Sequence, residues 1–350
     1  MTNQMYHQSL RQTMAENGIT HFGWTKLTRP LSMHFYTDWI EKGHHVDMAY
    51  LKEHLQKKED PLLAKPARSA IVLAIPYFPH PWPDANQYKN SVALYARGKD
   101  YHHEIPNLLT PILNKLKVDF PGETFQVFTD SAPILERDLA YRAGLGWIGK
   151  NTCLIHTKKG SLFFLAEIYT TLELINEASW SSDFCGKCTK CIDACPTQAL
   201  TGQRELIPNR CISYWTIEAK SLPPESLRPH FRDWLFGCDI CQTVCPWNQK
   251  PLDGFLNQPK TPELEKIEEL RWILTTSRKE LARHFQNTPL ARAAGWKLQR
   301  NAIIVATNQR HKELMSEIEI HRSDSKLTEL VEWSLEILRK INATRSTPNI

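Results

Sequence analysis

The rhythm of polar and apolar positions changes three times along the chain. Up to about residue 60, Met5, Leu10, Met14 and Ile19, then Trp39 and Ile40, then Met48, Leu51 and Leu55 recur at helical intervals on a polar background, so this stretch is read as helical. Short continuous apolar runs follow. SAIVLAIPY (69–77) predicts a buried strand, SVALYARG (91–98) a second and TFQVFTD (124–130) a third, with a helix-like stretch from Leu108 to Leu116 between the last two. APILERDLAYRAG (132–144) has helical spacing and stops on glycine, as helix ends often do. NTCLIH (151–156) and SLFFLAEIYTTLEL (161–174) predict strands joined by a turn at 158–160. The pattern up to here is a mixed sheet with helices, of the α+β or α/β kind.

Near residue 180 periodicity stops, and it does not return until about 215. Cysteines crowd this interval, so metal rather than an apolar core is expected to order it. From 263 onward strand signals vanish: ELEKIEELRWIL, SRKELARHF, ARAAGWKLQRNAIIVATN and LTELVEWSLEILRKI all carry helical spacing. The last helices suggest one or two helical pairs, and the tail after Asn342 is expected to fray. Three segments result: 1–175, 176–260 and 261–350.

Composition narrows the class. A chain of 350 residues, 41% hydrophobic and 23% charged, has the balance of a globular protein with room for two domains or one with an appendage. The polar N-terminus has no leader pattern and no run is long enough to span a bilayer, so a cytoplasmic location is expected. There, nine cysteines point to ligands or catalytic thiols before disulfides. The formal charge is +5. Two clusters held by thiolates would offset it, so a polyanionic partner would need a local basic patch.

Cys185, Cys188, Cys191 and Cys195, followed by Pro196, match the C-x2-C-x2-C-x3-C-P run of bacterial ferredoxins. Cys238, Cys241 and Cys245, followed by Pro246, repeat it with one member missing, and Cys211 supplies that member from upstream. In the ferredoxin pattern the last cysteine of each run crosses to the other cluster. That assigns Cys185, Cys188, Cys191 and Cys245 to one 4Fe–4S cluster, and Cys195, Cys211, Cys238 and Cys241 to the other. Zinc is the competing reading of C-x2-C pairs, but zinc sites do not need the triplet closed by Cys-Pro. Cys153 is left over and reads as a small buried hydrophobe.

Other motifs are weaker. GLGWIG (144–149) has the glycine spacing of a dinucleotide loop, but a helix precedes it and a strand follows, the reverse of what that motif requires. DYHHEI (100–105) resembles the D-x-H-x-x-G cobalamin signature without its glycine; a helix start capped by Asp100 is at least as good a reading, and no histidine ligand to cobalt is expected. Asp130 ends a strand before a turn and a helix, a common place for chemistry and also for a cap; Glu136, Arg137 and Asp138 after it read equally well as a solvated helix face. Lys220, Arg228, His230 and Arg232 lie among Tyr214, Trp215 and Trp234, and Arg278, Lys279, Arg283, Arg292, Lys297, Arg300 and Arg310 form a looser basic series. Both suit contact with phosphates and bases of RNA.

LYARGKDYH, TDSAPILERDLAYRAGLGWIGKNTCLI, GSLFFLAEI, CGKCTKCIDACPTQAL, CISYWTIE and GCDICQTVCPWN together, in order from about 45 to about 305, resemble the epoxyqueuosine reductase family. The resemblance implies an α+β, mixed-sheet, cobalamin-binding core related to reductive dehalogenases, an inserted two-cluster ferredoxin-like module, and a C-terminal all-α HEAT-like region that binds tRNA. It implies base-off cobalamin beside two 4Fe–4S clusters, and reduction of epoxyqueuosine to queuosine at the wobble position of tRNAs with GUN anticodons, those for Asp, Asn, His and Tyr. Residue by residue it implies Asp130 as proton donor, the eight cysteines as cluster ligands, and Tyr95, Asp130, Ser213 and Asp239 near the corrinoid. A monomer, no membrane, and an external low-potential electron donor complete the expectation. Removing an epoxide oxygen takes two electrons and protons, and Asp130 serves as the acid provided that burial raises its pKa. The competing readings are a corrinoid reductive dehalogenase of a small molecule and a non-enzymatic cluster or zinc carrier that binds RNA.

Overall fold

The computed structural model describes residues 3–60, 66–83, 88–130, 132–175, 182–255 and 261–343. The chain begins with α1 (Asn3–Glu16), β1 (Phe22–Lys26), α2 (Met33–Glu41), α3 (Ala49–Glu53) and α4 (Leu55–Glu59). β1 lies in the stretch read as helical. Its five residues, FGWTK, are too few to show a period against the helices on either side. β2 (Ser69–Pro76), β3 (Ser91–Val92), α5 (Tyr101–Asp119), β4 (Phe125–Phe128), α6 (Glu136–Arg142), β5 (Trp147–Ile148), β6 (Leu154–Ile155) and β7 (Phe163–Thr170) complete the first part.

The main sheet has four strands in the order β1-β2-β7-β4, and every neighbour is antiparallel. A mixed sheet was expected. An apolar run carries no direction, and the excursions between these strands are long enough to return to either end. Among the described residues the parallel pairing is confined to the short β3 with β8 (Trp234–Phe236). Both faces of the main sheet are covered, which is why β2 reads as a continuous apolar run. On one face Ile71, Leu73, Ile75, Ala166 and Ile168 pack with Leu10 and Met14 of α1 and Ile105, Leu109, Ile112 and Leu116 of α5. On the other, Ala70, Val72, Ala74, Phe163 and Tyr169 pack with Leu139, Ala140 and Ala143 at α6.

Three expected elements differ in extent. α5 runs well beyond 108–116 through Pro106 and Pro111; proline is a helix breaker in isolation, but buried apolar residues at four- and three-residue steps hold this helix on the sheet. The strand expected over 91–98 stops after two residues because the Leu94 N–H turns to the Asp239 carboxylate, at 2.6 Å. GLGWIG folds into the β5–β6 hairpin. A Cβ on Gly146 would lie 2.1 Å from the Ile155 carbonyl oxygen, so the glycine serves close backbone packing and no dinucleotide.

In the cysteine segment only short helices form: α7 (Lys190–Asp193), α8 (Ile212–Ile217) and α9 (Ile240–Thr243). Then come α10 (Glu263–Thr275), α11 (Arg278–His284), α12 (Trp296–Asn308), α13 (Met315–Glu319) and α14 (Thr328–Ala343), with a 3-10 turn in each connection after α11. α8 and β8 share one apolar core with these helices, through Ile212, Trp215, Leu235 and Phe236 against Leu298, Ala302 and Val305. Residues 344–350, expected to fray, lie outside the described residues. The class is a mixture of helices with small sheets, and no helix among the described residues is long and apolar enough to cross a membrane.

Candidate active site

β4 delivers Asp130 to the edge of an open cleft. Thr129 ties the strand end to β7 by donating from its hydroxyl to the Leu165 carbonyl at 3.1 Å. Asp130 then takes φ 49°, a left-handed conformation that aspartate tolerates better than most residues. Three bonds hold it there. Its N–H donates to Glu136 Oε1 at 2.5 Å, and its Oδ2 accepts from Tyr101 Oη at 2.6 Å and lies 3.1 Å from His102 Nε2. The carboxylate nevertheless keeps 57% of its side-chain surface exposed.

His102 is gripped from both ends. Its Nδ1 lies 2.6 Å from Asp100 Oδ1, and Asp100 also caps α5 by accepting from the His102 N–H. Hydrogen bonds to Asp100 and then Asp130 push the imidazole up to about 9, so at neutral pH both nitrogens carry protons and neither offers a lone pair to a metal. The helix-start reading of DYHHEI holds. Tyr101 stacks on His102 at 4.2 Å and on Phe164 at 4.4 Å, which fixes the phenol beneath the acid.

The expected condition on Asp130 is not met in this state. Burial acts to raise its pKa, but the hydrogen bonds from His102 and Tyr101 and the charges of His102 and Arg292 outweigh it and set the carboxyl below its ordinary value. Asp130 is therefore ionised at neutral pH. The protons around it sit on His102 and on Glu136, which burial and then the Asp130 charge push up to about 7.

Of the three residues that read equally well as a solvated face, Arg137 is exposed and Glu136 half-buried, and Asp138 is withdrawn. Asp138 is 5% exposed; it takes Arg142 Nε at 2.7 Å and the Ser32 N–H at 2.8 Å. α6 lies between the sheet and the segment leading into α2, so few of its side chains stay wet.

The eight cluster cysteines fall into two mutually interacting sets. Cys191 feels Cys185, Cys245 and Cys188, and Cys245 feels Cys185 and Cys188. Cys238 feels Cys211 and Cys195, and Cys241 feels Cys238 and Cys211. In all four, burial is the first cause that raises the thiol and the neighbouring thiols add to it. Among the described residues no three His, Cys, Asp or Glu side chains close on one point as a single metal ion would need. Cys188 is exposed, as is the loop around it, whereas Cys245 is buried. The ninth cysteine, Cys153, is a free thiol that burial pushes up to about 11, as an inert filler requires.

Sequence reasoning missed what holds these loops. Lys150 donates to the carbonyls of Gly186 at 2.7 Å and Cys188 at 3.0 Å. Trp147 Nε1 donates to Cys185 Sγ at 3.5 Å, and Asn151 Nδ2 to the Cys241 carbonyl at 3.3 Å. The β5–β6 hairpin thus grips both sets, and the only signal was the polar pair Lys150-Asn151 directly after GLGWIG.

Tyr95 stands between acid and cysteines: it lies within electrostatic reach of Asp130, Asp239, Glu218 and Arg292, and its ring is 6.2 Å from that of Tyr101. Asp239 is buried, pushed up to about 6 by that burial, and engaged by the Leu94 N–H. Ser213 sits on α8, where its N–H faces Cys211. A flat group over Tyr95 would meet Asp130 on one side and the Cys238 segment on the other, so these residues fit a corrinoid seated in the cleft. The cavity of about 570 Å³ beside Cys195 and the one of about 370 Å³ at Arg278 and Asp324 lie elsewhere.

Much of the basic series turns inward. Arg300 is wholly buried; it donates to the carbonyls of Ala219 at 3.0 Å, Ser221 at 2.8 Å and Trp215. Lys297 donates to the Ile217 carbonyl at 2.8 Å, Arg292 binds Glu218 through two nitrogens, Arg278 pairs with Asp324, and Arg228 is buried against Glu329. Periodicity could not show this, because it assigns long cations to the wet face. Lys220, His230, Arg232, Lys279, Arg283 and Arg310 remain exposed.

Comparison with known proteins gives a consistent picture. Residues 59–131 match the sequence model described as "Epoxyqueuosine reductase QueG, DUF1730", and residues 184–248 match the 4Fe-4S double cluster binding domain. An epoxyqueuosine reductase of Cyclobacterium marinum is 43% identical over 61% of this chain and 69% of its own. That of Xanthomonas campestris pv. campestris is 32% identical over 93% of this chain and 94% of its own. A crystal structure of epoxyqueuosine reductase with a tRNA-Tyr epoxyqueuosine-modified stem loop superimposes with a TM-score of 0.78 at 25% identity, covering 99% of this chain and 96% of that one.

Proposed function

The chain belongs to the epoxyqueuosine reductase family, an oxidoreductase of tRNA queuosine biosynthesis with two iron–sulfur clusters, and we propose that it reduces epoxyqueuosine in a corrinoid-holding cleft with Asp130 as the acid beside the leaving oxygen. The substrate base is the wobble nucleoside of tRNAs with GUN anticodons, and the chain acts as a monomer. The observation that carries this reading is Asp130 itself: a left-handed residue just after β4, held by one hydrogen bond at its N–H and two at its carboxylate, with that carboxylate exposed and within electrostatic reach of Tyr95.

Cys185, Cys188, Cys191 and Cys245 would hold the outer cluster, where an external low-potential donor meets the exposed Cys188 edge. Cys195, Cys211, Cys238 and Cys241 would hold the inner one. Tyr95 and the stretches carrying Ser213 and Asp239 would form the floor for base-off cobalamin. When bound, that group supplies the strongly reducing centre that no side chain provides. The segments 1–175, 176–260 and 261–350 then serve as catalytic core, ferredoxin-like electron module and HEAT-like tRNA-binding region.

The side chains do the proton work. As the epoxide oxygen leaves it gains negative charge, and a proton within hydrogen-bond reach lowers that barrier. The proton on His102 Nε2 faces Asp130 Oδ2, so it passes to the carboxylate as charge develops above it. Tyr101 holds the acceptor oxygen at its place throughout. Covering Asp130 with corrinoid and tRNA removes water from it, which pushes its pKa back up toward the value a donor needs.

The test is nucleoside mass analysis of tRNA carrying epoxyqueuosine after incubation with the reduced, cluster-loaded protein and cobalamin. Queuosine is the expected product. Unchanged epoxyqueuosine, with clusters reduced and cobalamin bound, overturns the reading.

A further inference from the structure

Two carboxyls behind Asp130 are unused by this chemistry. Glu136, the first residue of α6, spends Oε1 on the Asp130 N–H at 2.5 Å. Glu167 lies in β7 on the face toward α6, between Val72 of β2 and Phe128 of β4. It is 0% exposed, and neither of its side-chain oxygens has a hydrogen-bond partner. An unpartnered carboxylate in the middle of a covered sheet is not sustained; such a group keeps its proton.

The cations facing the pair offset it only in part, because their hydrogens are spent on carbonyls. Lys58 of α4 donates to the Ile134 carbonyl at 3.1 Å, and Arg137 donates to the Thr152 carbonyl at 2.5 Å. Tyr169, two residues along β7, is buried with its own hydroxyl unpartnered, and Asp130 and Glu136 both add negative charge. Burial first, and then Glu136, keep Glu167 well above the ordinary carboxyl range. Glu136 itself stands at about 7, where a proton is held loosely enough to be given and firmly enough to be present.

Reduction of an epoxide to an alkene breaks both C–O bonds, forms the C=C bond and releases the oxygen as water. It consumes two electrons from the external donor and two protons. His102 holds one of these protons on the Oδ2 side of Asp130. We propose that Glu136 holds the other and passes it to the Asp130 carboxylate, and that Glu167, buried beneath it, is the positioning residue that hydrogen-bonds the Glu136 carboxylate left behind. This inference rests on the reading given above. Its use follows from the geometry: once tRNA and corrinoid close over Asp130, bulk water no longer reaches the acid from the cleft, while the pair sits behind the loop on the protein side. Glu136 regains its proton when product leaves.

Two measurements test it. Among the un-ionised carboxylic acid bands that infrared spectra of the cluster-loaded protein show at acid pH, two are expected to be assigned by substitution: one disappears as pH rises through about 7 and is missing in Glu136→Gln, and the other persists at pH 8 and is missing in Glu167→Gln. In turnover, Glu136→Gln keeps the acceptor for the Asp130 N–H, so it should lower kcat by about tenfold to a hundredfold, leave KM within about twofold and abolish the fall of kcat above about pH 7. Glu167→Leu should move that fall to higher pH, because the Glu136 carboxylate loses its donor. Absence of both bands in the wild type, or a Glu136→Gln pH profile that superimposes on the wild type, overturns the proposal. Wild-type protein that forms no queuosine at all overturns the functional reading instead, and the bands still decide how the pair is protonated.

Discussion

Arg300 and Glu167 are both wholly buried, one in the helical region and one in the sheet, and their surroundings treat them in opposite ways. Arg300 lies against the end of α8 and gives hydrogens to the carbonyls of Trp215, Ala219 and Ser221 and to Asn301 Oδ1, with the Trp296 ring 5.3 Å from its guanidinium carbon. Burial pulls it down to about 9, which still leaves it charged at neutral pH. Glu167 has no such partners. A buried charge with four hydrogen bonds to its surroundings is a fastener: it binds the cysteine segment to the helices and is turned away from any ligand. A buried acid with both oxygens idle, next to a residue that touches the reactive loop, is an unfinished structure that chemistry completes.

If that contrast is right, the two places must separate in experiment. The largest effect belongs to the acid side: Asp130→Asn should lower kcat about a thousandfold while clusters, bound cobalamin and the thermal midpoint stay as in the wild type. A variant that loses its clusters as well would assign Asp130 to structure and erase the contrast. Next, Arg300→Met strips three carbonyls at the end of α8 of their donor, and urea unfolding should report a loss of about 3 kcal/mol or more. Little change there would mean that water replaces the guanidinium and that the fastener is dispensable.

A smaller effect carries a sign. The Glu136 carboxyl is raised in the fold from 4.5 to about 7, so its contribution to stability is complete below pH 4.5 and is lost as pH rises through about 7. Glu136→Gln has no such loss, and its stability should gain on the wild type across that window, by about 3 kcal/mol between pH 4.5 and pH 8. A Glu136→Gln protein that falls further behind with rising pH would show that the carboxylate is stabilised by the fold. The smallest effect is expected at the rim. Glu218→Gln weakens the partly exposed pair with Arg292 and should cost no more than about 1 kcal/mol, which would show that buried fastening, and not every ion pair between these segments, joins them.

The sequence made much of this legible, for identifiable reasons. β2 and β7 are strongly apolar runs because both sheet faces are covered, and α10, α11 and α14 keep a clean period because each shows one side to solvent, whereas α12 is buried continuously over 298–307. The cysteine spacing carries its own geometry, so the grouping into two sets was readable before any fold. The place of Asp130 after a strand suited a cap as well as chemistry, and the family resemblance singled it out. What escaped was whatever depends on packing between distant segments: the direction of the sheet, the short β1, the hairpin that clasps the cysteine loops, and the inward turn of Arg300 and Arg228. Glu136 and Glu167 lie 31 positions apart in the sequence, one on a helix that looked solvated and one in an apolar run, and only the antiparallel sheet with α6 across it makes them neighbours.

The crossing of the two cysteine sets has a consequence for how the protein is made. The outer set opens with Cys185 and is completed by Cys245, while the inner set begins with Cys195 and ends at Cys241. With the clusters held as proposed, the inner one is fully ligated on the ribosome only once residue 241 has emerged and the outer one only once residue 245 has, and by then the segment that carries Asp130 and the clasping hairpin has long been released. Both clusters would then be inserted late and nearly at once, after the whole of the catalytic segment has been made.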